Sequence, residues 1–572
     1  MQIKSFAKPF WPAITFIILL TFGQVGADLL LPNFMASIID NGIAQGDTDH
    51  ILNTGGIMLL VSLVGIACAV TANYLASRTA LGIARNLRKS LFHHITQFSL
   101  SEFDQIGTSS LITRTTNDVQ QIQSTTFSML RMMLRAPVMC IGGVIMALQK
   151  DRDLSLLLLA ILPFSAGLIY YITVKAVPLF RVIQKKLDQL NLILRENLVG
   201  IRIIRAFSRL GFEKKKFAAA NNDLTQTTIR ANRIMAVLNP SMVFCMNALT
   251  IAIVWVASSR IDKGNLLIGD MMAFIQYAIQ IFMSLTMITM LFVMLPRAFA
   301  SAERLREVFH LKADIADPSS ATSLPGKPQG TVRFDHVTFR YNQAENPAVN
   351  DVSFTVNRGE TLAIIGGTGS GKSSLVNLIP RYYDVESGKI EIDGVDIRQM
   401  KQEELRSMIG LVPQKITIFS GTINENIRMG KPGATQEEII NACQIAQADE
   451  FVETLPKQYE TEIAQGGTNL SGGQKQRLSI ARAIVRNPRI YLFDDSFSAL
   501  DFKTDAAVRK GLKEKTHQAT VIIVAQRVTS IRHADKILVM DKGRIVGQGT
   551  HEELLKSNEV YQEIVASQLT EE

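Results

Sequence analysis

The chain has 572 residues with a formal net charge of +9; 47% of them are hydrophobic and only 19% charged. The length exceeds one domain, and the charged fraction falls below the ~25% typical of soluble proteins, so a wholly soluble single domain is excluded. A basic balance suits a nucleic-acid binder or a membrane protein with basic cytoplasmic loops; the apolar segments that follow favour the second, and no nucleic-acid partner is expected.

Residues 1–310 carry six long apolar segments, roughly Trp11–Ile38, Gly55–Ala76, Phe127–Leu148, Leu154–Val174, Pro240–Ser258 and Leu266–Leu295. Each approaches or exceeds the ~20 residues that cross a hydrocarbon core. The first is too long for a removable signal peptide and lacks a small-residue cleavage site. The intervening turns alternate. Asn41–Asn53, Gln149–Asp153 and Ser259–Asn265 are short, whereas Arg78–Gln123 and Lys175–Asn239 are long and basic. Positive charge in both long connections places them in the cytoplasm, with the N-terminus on the same side. An even number of spans returns the chain there, which predicts a multi-pass protein of the cell membrane. Helical patterning in the long connections reads as spanning helices that continue into the cytosol. The four cysteines are scattered and match neither a disulfide framework nor a zinc spacing.

Some residues in the spans are unusual. Asp28 lies inside the first, where an ionised group is costly. Either it faces an aqueous substrate path and attracts cationic compounds, or it is a structural carboxylate bonded to a neighbouring helix. Arg131 and Arg135 share a face near the cytoplasmic end of the third span, where contact with lipid headgroups is favoured over substrate contact. In the sixth, Met283, Met287, Met290 and Met294 fall on one face. Flexible thioethers suit a surface that accepts many apolar shapes, and equally suit plain helix packing.

Residues 311–329 read as a linker, and 330–572 as an α/β domain with a partly parallel sheet. Its central motif is Gly366, Gly367, Thr368, Gly369, Ser370, Gly371, Lys372, Ser373 and Ser374, which fits G-x-x-x-x-G-K-[ST] between the apolar run Thr361–Ile365 and a helical run. Such a loop turns its N–H groups around phosphate oxygens; Lys372 is placed for the β/γ-phosphates and Ser373 for Mg²⁺. The apolar strand Ile490–Phe493 ends in Asp494, an acid positioned to hold Mg²⁺. Leu470, Ser471, Gly472, Gly473 and Gln474 open another helix and form a second anion site. One phosphate group has no use for two loops on one domain, so the second is expected to serve a nucleotide held by another domain.

The whole chain resembles a half-transporter of the ATP-binding cassette (ABC) exporter family: a membrane bundle of six helices extending into the cytosol, then one P-loop NTPase domain. The matching stretches are the P-loop, Gln414 in Leu411–Gln414, the signature Leu470–Gln474, the Asp494 strand and Ser498–Asp501. Tyr341 resembles the family's adenine-stacking aromatic. Segments near 101–119 and 196–209 resemble its cytoplasmic coupling segments. The resemblance implies ATP and Mg²⁺ as cofactors, with Ser373, Gln414 and Asp494 at the metal. It implies pairing of two halves head to tail, so that Leu470–Gln474 and Asp501 meet the partner's ATP. It further implies a bilayer setting and hydrophobic or amphiphilic small-molecule substrates.

Two departures stand out. The position after Asp494 is usually Glu in this family and here is Asp495; the switch position in Ile523–Arg527 is usually His and here is Gln526. Aspartate falls short by one methylene, and a misplacement of about 1 Å can cost ~10²-fold in rate. Gln526 cannot become a cation. The pattern resembles the degenerate-site subunit of bacterial heterodimeric multidrug exporters, whose partner carries the Glu and the His. Hydrolysis is then expected mainly at the partner's P-loop. A homodimeric lipid or peptide exporter with slow turnover, and a non-transporting regulatory or channel subunit, are the alternatives. The segment Ala464–Gly467 also departs from the family's Gly-Glu-Arg-Gly.

Overall fold

A computed structural model describes residues 6–569 apart from positions 319, 323, 325 and 343, and leaves out the side chains of 289–293 and 569. The chain divides into two compact units. The first comprises Met1–Thr96 and Ser109–Leu311, and the second comprises Lys312–Glu572 together with Gln97–Thr108. The boundary expected near residue 310 is thus crossed by one short segment, Gln97–Thr108, which folds with the C-terminal unit.

The first unit is helical: α1 (Trp11–Ser37), α2 (Thr48–Ile95), then, after α3 (Leu100–Ile106) of the other unit, α4 (Thr108–Thr113), α5 (Val119–Ser128), α6 (Arg135–Lys150), α7 (Arg152–Val199), α8 (Ile201–Ala206), α9 (Leu210–Ala236), α10 (Leu238–Asp262) and α11 (Ile268–His310). Among the described residues, six stretches are long and apolar enough to cross a membrane. With 48 residues each, α2 and α7 run about 72 Å at 1.5 Å per residue, over twice a ~30 Å hydrocarbon core. The long connections are therefore helical continuations, as their patterning predicts. The tight turns are capped and tied. Asp47 accepts from His50 N at 2.9 Å, Asp151 accepts from the N–H groups of Asp153 and Leu154 at 2.9 Å, and Arg260 pairs with Asp151. Large apolar side chains such as Phe164, Tyr170, Phe244 and Trp255 remain exposed, an exterior suited to lipid rather than water. The path from α4 to α6 is interrupted by two π-helical turns, Arg114–Asp118 and Met129–Met133.

The second unit has strands β1 (Val332–Phe339), β2 (Val349–Val356), β3 (Thr361–Gly366), β4 (Ser387–Ile392), β5 (Val395–Asp396), β6 (Ile409–Val412), β7 (Gly421–Thr422), β8 (Glu462–Ile463), β9 (Ile490–Asp494), β10 (Thr520–Val524), β11 (Lys536–Asp541) and β12 (Arg544–Gly549). The main sheet has the order β12-β11-β3-β10-β9-β6. Its β11, β3, β10, β9 and β6 run parallel, with β12 antiparallel at the edge. The buried strands β3, β9 and β10 are continuously apolar, as a sheet covered on both faces requires. A second, antiparallel sheet, β2-β1-β4-β5, packs with them through Val332, Phe334, Leu362, Ile364 and their neighbours. Because β10 lies between β3 and β9, the loops after these three strands meet at one end of the sheet. Ligands of open α/β sheets bind at such carboxyl ends.

Candidate nucleotide site

The loop after β3 is Gly367–Gly371, and the helix that follows is Lys372–Leu378. Gly371 sits at φ +98°, and a Cβ there would stand 2.2 Å from Ala348 O, so only glycine fits that turn. Lys372 is buried, and its ammonium donates to Gly366 O (2.9 Å) and Gly367 O (2.7 Å), with Ser370 Oγ at 3.4 Å. A buried cation bonded only to neutral acceptors is a ready counter-charge for phosphate. Burial holds its pKa below the ordinary lysine value.

The loop after β9 supplies the acids. Ser373 Oγ donates to Asp494 Oδ1 at 3.0 Å. A hydroxyl and a carboxylate in contact, with Gln414 on the same cavity wall, are oxygen donors of the kind Mg²⁺ takes, and they leave positions for phosphate oxygens and water. The residues fit the ion; when bound, it neutralises phosphate charge. Burial pushes the carboxyls of both Asp494 and Asp495 above the usual aspartate range; the charge of Asp495 also raises Asp494, while hydrogen bonds from Gln414 and Gln526 pull Asp495 down.

The loop after β10 supplies Gln526, whose Nε2 donates to Asp495 Oδ2 at 2.9 Å. Asp495 adopts a left-handed φ of +49°, uncommon for a side-chain-bearing residue. Tyr341, Thr368, Gly369, Gly371, Lys372, Ser373, Ser374, Gln414, Asp494, Asp495 and Gln526 line one cavity of about 340 Å³, and Gly366, Gly367 and Ser370 contact Lys372 beneath it. Tyr341 Oη donates to Ser374 Oγ at 3.0 Å, and its ring meets Phe339 and Tyr383 edge-on.

The second loop stands apart from this cavity. Ser471 caps the helix Gly472–Val485: its Oγ accepts from Gln474 N, and the Gln474 side chain accepts from Ser471 N. Ser471 and Gly472 are exposed, and Leu470, Gly473 and Gln474 are half-buried. Asp501 likewise caps its helix, accepting from Thr504 N at 2.9 Å and Thr504 Oγ1 at 2.7 Å. Sequence reasoning missed Gln476, which bonds Asp495 O and Ala499 N and so ties the signature helix to the acidic loop. It also missed Tyr383, whose Oη donates to Asp104 at 2.8 Å. Neither carries a motif of its own.

In the helical unit, Asp28, Met283 and Met287 line a cavity of about 260 Å³, and Arg135 pairs with Asp28 at 3.2 Å. Asp28 is therefore bonded to a neighbouring helix, as the structural reading of it expects, and also lines a cavity. Arg135, expected at lipid headgroups, points at this acid instead. Met294 is half-buried, and the side chain of Met290 lies outside the described residues.

A phosphate loop, a metal-binding acid and a signature loop on an ABC-type sheet, in a chain with six spanning helices, define an ATP-driven membrane translocase. The comparisons place it. Residues 14–285 match the family model described as the ABC transporter transmembrane region, and 349–498 match that described as ABC transporter. An uncharacterized ABC transporter ATP-binding protein of Mycobacterium bovis is 42% identical over 99% of this chain and 97% of its own length. A putative multidrug export ATP-binding/permease protein of Bacillus subtilis is 31% identical over 99% and 98%. An ATP-dependent lipid A-core flippase of Legionella pneumophila is 30% identical over 98% and 95%. A bacterial Atm1-family ABC exporter solved with ATP bound superposes with a TM-score of 0.81 at 26% identity, covering 98% of both chains. The chain belongs to the ABC transporter family, is an exporter by fold, and couples ATP hydrolysis to transport.

Proposed function

We propose that this chain is one half of a heterodimeric exporter of amphiphilic, drug-like compounds, with its P-loop on the cytoplasmic side. Its own site binds ATP through Tyr341, Lys372, Ser373 and Asp494 but hydrolyses it slowly. Its Ser471–Gln474 loop, exposed at Ser471 and Gly472, serves the P-loop of a partner chain, where most cleavage occurs. The observation that carries this reading is the Gln526–Asp495 hydrogen bond. The carboxylate that must polarise the attacking water is short by one methylene and is engaged by a neutral amide. No cation stands at that position to stabilise charge on the γ-phosphate. Meanwhile the signature loop keeps its capping box intact. Around α8, Leu198, Val199, Ile203 and Phe207 are exposed, an apolar surface beyond the spans that a second half would cover. The names of the Bacillus and Legionella relatives fit amphiphile export.

The test is solubilisation from the native membrane. A second polypeptide of similar size, with Glu and His at the matching positions, should co-purify in equal amount. A chain that purified alone as a dimer with ordinary ATP turnover would sink the heterodimer reading.

A further inference from the structure

The cavity beside Asp28 has hydrogen-bonding capacity that its own walls leave unspent. Arg135 spends one guanidinium N–H on Asp28 Oδ2, and its remaining donors find no partner among the described residues. Oδ1 of Asp28 accepts from none of them either. Gln280 Nε2 donates to Asp28 O at 3.1 Å, which turns its buried Oε1 into an acceptor without a donor. The two charged side chains are about 30% exposed, at 32% for Arg135 and 29% for Asp28, so a cavity occupant can reach both. The remaining wall is Leu31, Ala136, Met139, Met283 and Met287, with Ser284, whose hydroxyl already donates to Ile281 O. Arg135 also borders a neighbouring cleft, which Thr21, Gln24, Asn73 and Arg131 line together with apolar residues.

Two physical arguments then restrict the occupant. Unmet acceptors need an N–H donor, and unmet guanidinium donors need an anionic acceptor, so the complementary head carries both. The pair is also neutral as it stands. A purely cationic or purely anionic head would leave net charge in a low-dielectric site, whereas a head with both charges pairs with both walls. Resting on the export reading above, we propose that this cavity binds zwitterionic amphiphiles: a protonated amine facing Asp28 and Gln280, an acid group facing Arg135, and an apolar tail along the methionines. The simple cation attraction expected of Asp28 alone is cancelled by Arg135.

The experiment is equilibrium binding to the full chain, with whatever partner co-purifies, in nanodiscs. Three tritiated dodecyl probes carry phosphoethanolamine, ammonium or phosphate heads. The phosphoethanolamine probe should bind about tenfold more tightly than either other, the margin of one charge-assisted hydrogen bond. Asp28→Asn should move the preference to the phosphate probe and Arg135→Gln to the ammonium probe. Gln280→Leu, which removes no charge, should weaken both amine-bearing probes and spare the phosphate one. Equal binding of the three probes, or a preference unmoved by both charge substitutions, overturns the proposal. Nucleotide binding measured on the same samples separates this outcome from failure of the ATP-site reading. A lysophosphatidylethanolamine arm identifies the source: competition assigns the site to membrane lipid, and exclusion assigns it to free amphiphiles.

Discussion

Gln526 Nε2 donates a 2.9 Å hydrogen bond to Asp495 Oδ2 across the mouth of the phosphate loop. The two side chains come from the ends of β10 and β9, adjacent parallel strands in which Val524 is in register with Asp494. One oxygen of the carboxylate is thus engaged by an amide that cannot take up a proton. Glutamate at 495 would advance the carboxylate by about 1.5 Å, one carbon–carbon bond, into the amide that now faces it. The two positions are therefore coupled, and the paired replacement Asp495→Glu with Gln526→His should act more than additively. Single-turnover hydrolysis at this chain's own P-loop should rise roughly 10²-fold in the pair and far less in either single variant. On the heterodimer reading proposed above, steady-state turnover of the two-chain complex should rise only modestly, because the partner's site would carry most of it. A large steady-state rise would favour a homodimer.

Ser471 has a different dependence. Its hydroxyl closes the capping box of the helix Gly472–Val485, and Ser471→Ala should cost about 1 kcal/mol of local stability. That loss alone would not stop catalysis. If the loop also grips the partner's nucleotide, Ser471→Ala should abolish most hydrolysis by the complex while this chain still retains ATP at Lys372. Photolabelling with an azido-ATP, resolved chain by chain, reads both quantities. Loss of label from this chain rather than loss of turnover would contradict the division between the two loops.

The phosphate site was legible from residue order because its chemistry is local. Gly366–Ser374 and Asp494 carry spacing rules that hold in any sheet placing β3 near β9, and the alternating pattern predicts that sheet. The spans were legible because apolar length reports directly on hydrocarbon thickness. What escaped was pairing across the fold. Arg135 lies 107 residues from Asp28, and Tyr383 lies 279 from Asp104. Periodicity tells which face of a helix is apolar, but not which neighbour faces it. Arg135 therefore reads as a headgroup ligand until α6 is seen against α1. Gln97–Thr108 reads as part of the helical unit until its tertiary contacts are known.

The paired acids make metal loading sensitive to pH. Burial raises both carboxyls, and the charge of Asp495 raises Asp494 further. A raised acid keeps its proton to a higher pH than a free aspartate, and that proton competes with Mg²⁺. Mg²⁺-dependent ATP binding should therefore weaken as pH falls toward the carboxylate range, and should do so earlier than an unperturbed aspartate predicts. Asp495→Asn removes the like charge, lowers the Asp494 pKa, and should move that midpoint to lower pH. Isothermal titration at a series of pH values from neutral downward measures it. A midpoint unmoved by Asp495→Asn would show that the two acids do not interact.

Tyr383 joins the base-binding side of the site to α3. Its ring packs 5.3 Å from those of Tyr341 and Phe339, and its hydroxyl donates to Asp104 at 2.8 Å. Burial and the acidic acceptor both push the phenol pKa up, so the group remains a donor at every physiological pH. Ser101 adds a parallel contact, accepting from Asn342 at 2.9 Å, one residue from Tyr341. An adenine stacked on Tyr341 would thus press on an aromatic cluster that the Tyr383–Asp104 bond ties to Gln97–Thr108, a segment continuous in sequence with α2 and α4. Tyr383→Phe keeps the rings and deletes the tether, at a cost of about 1 kcal/mol, or roughly fivefold in the docking equilibrium of α3. ATP affinity should therefore change little, while substrate moved per ATP cleaved should fall severalfold in proteoliposomes. Asp104→Asn, whose amide oxygen can still accept the phenol proton, should recover most of the coupling that Tyr383→Phe loses. Equal uncoupling by both substitutions would mean that a neutral acceptor is not enough and that the bond links the two elements only when the acceptor is charged.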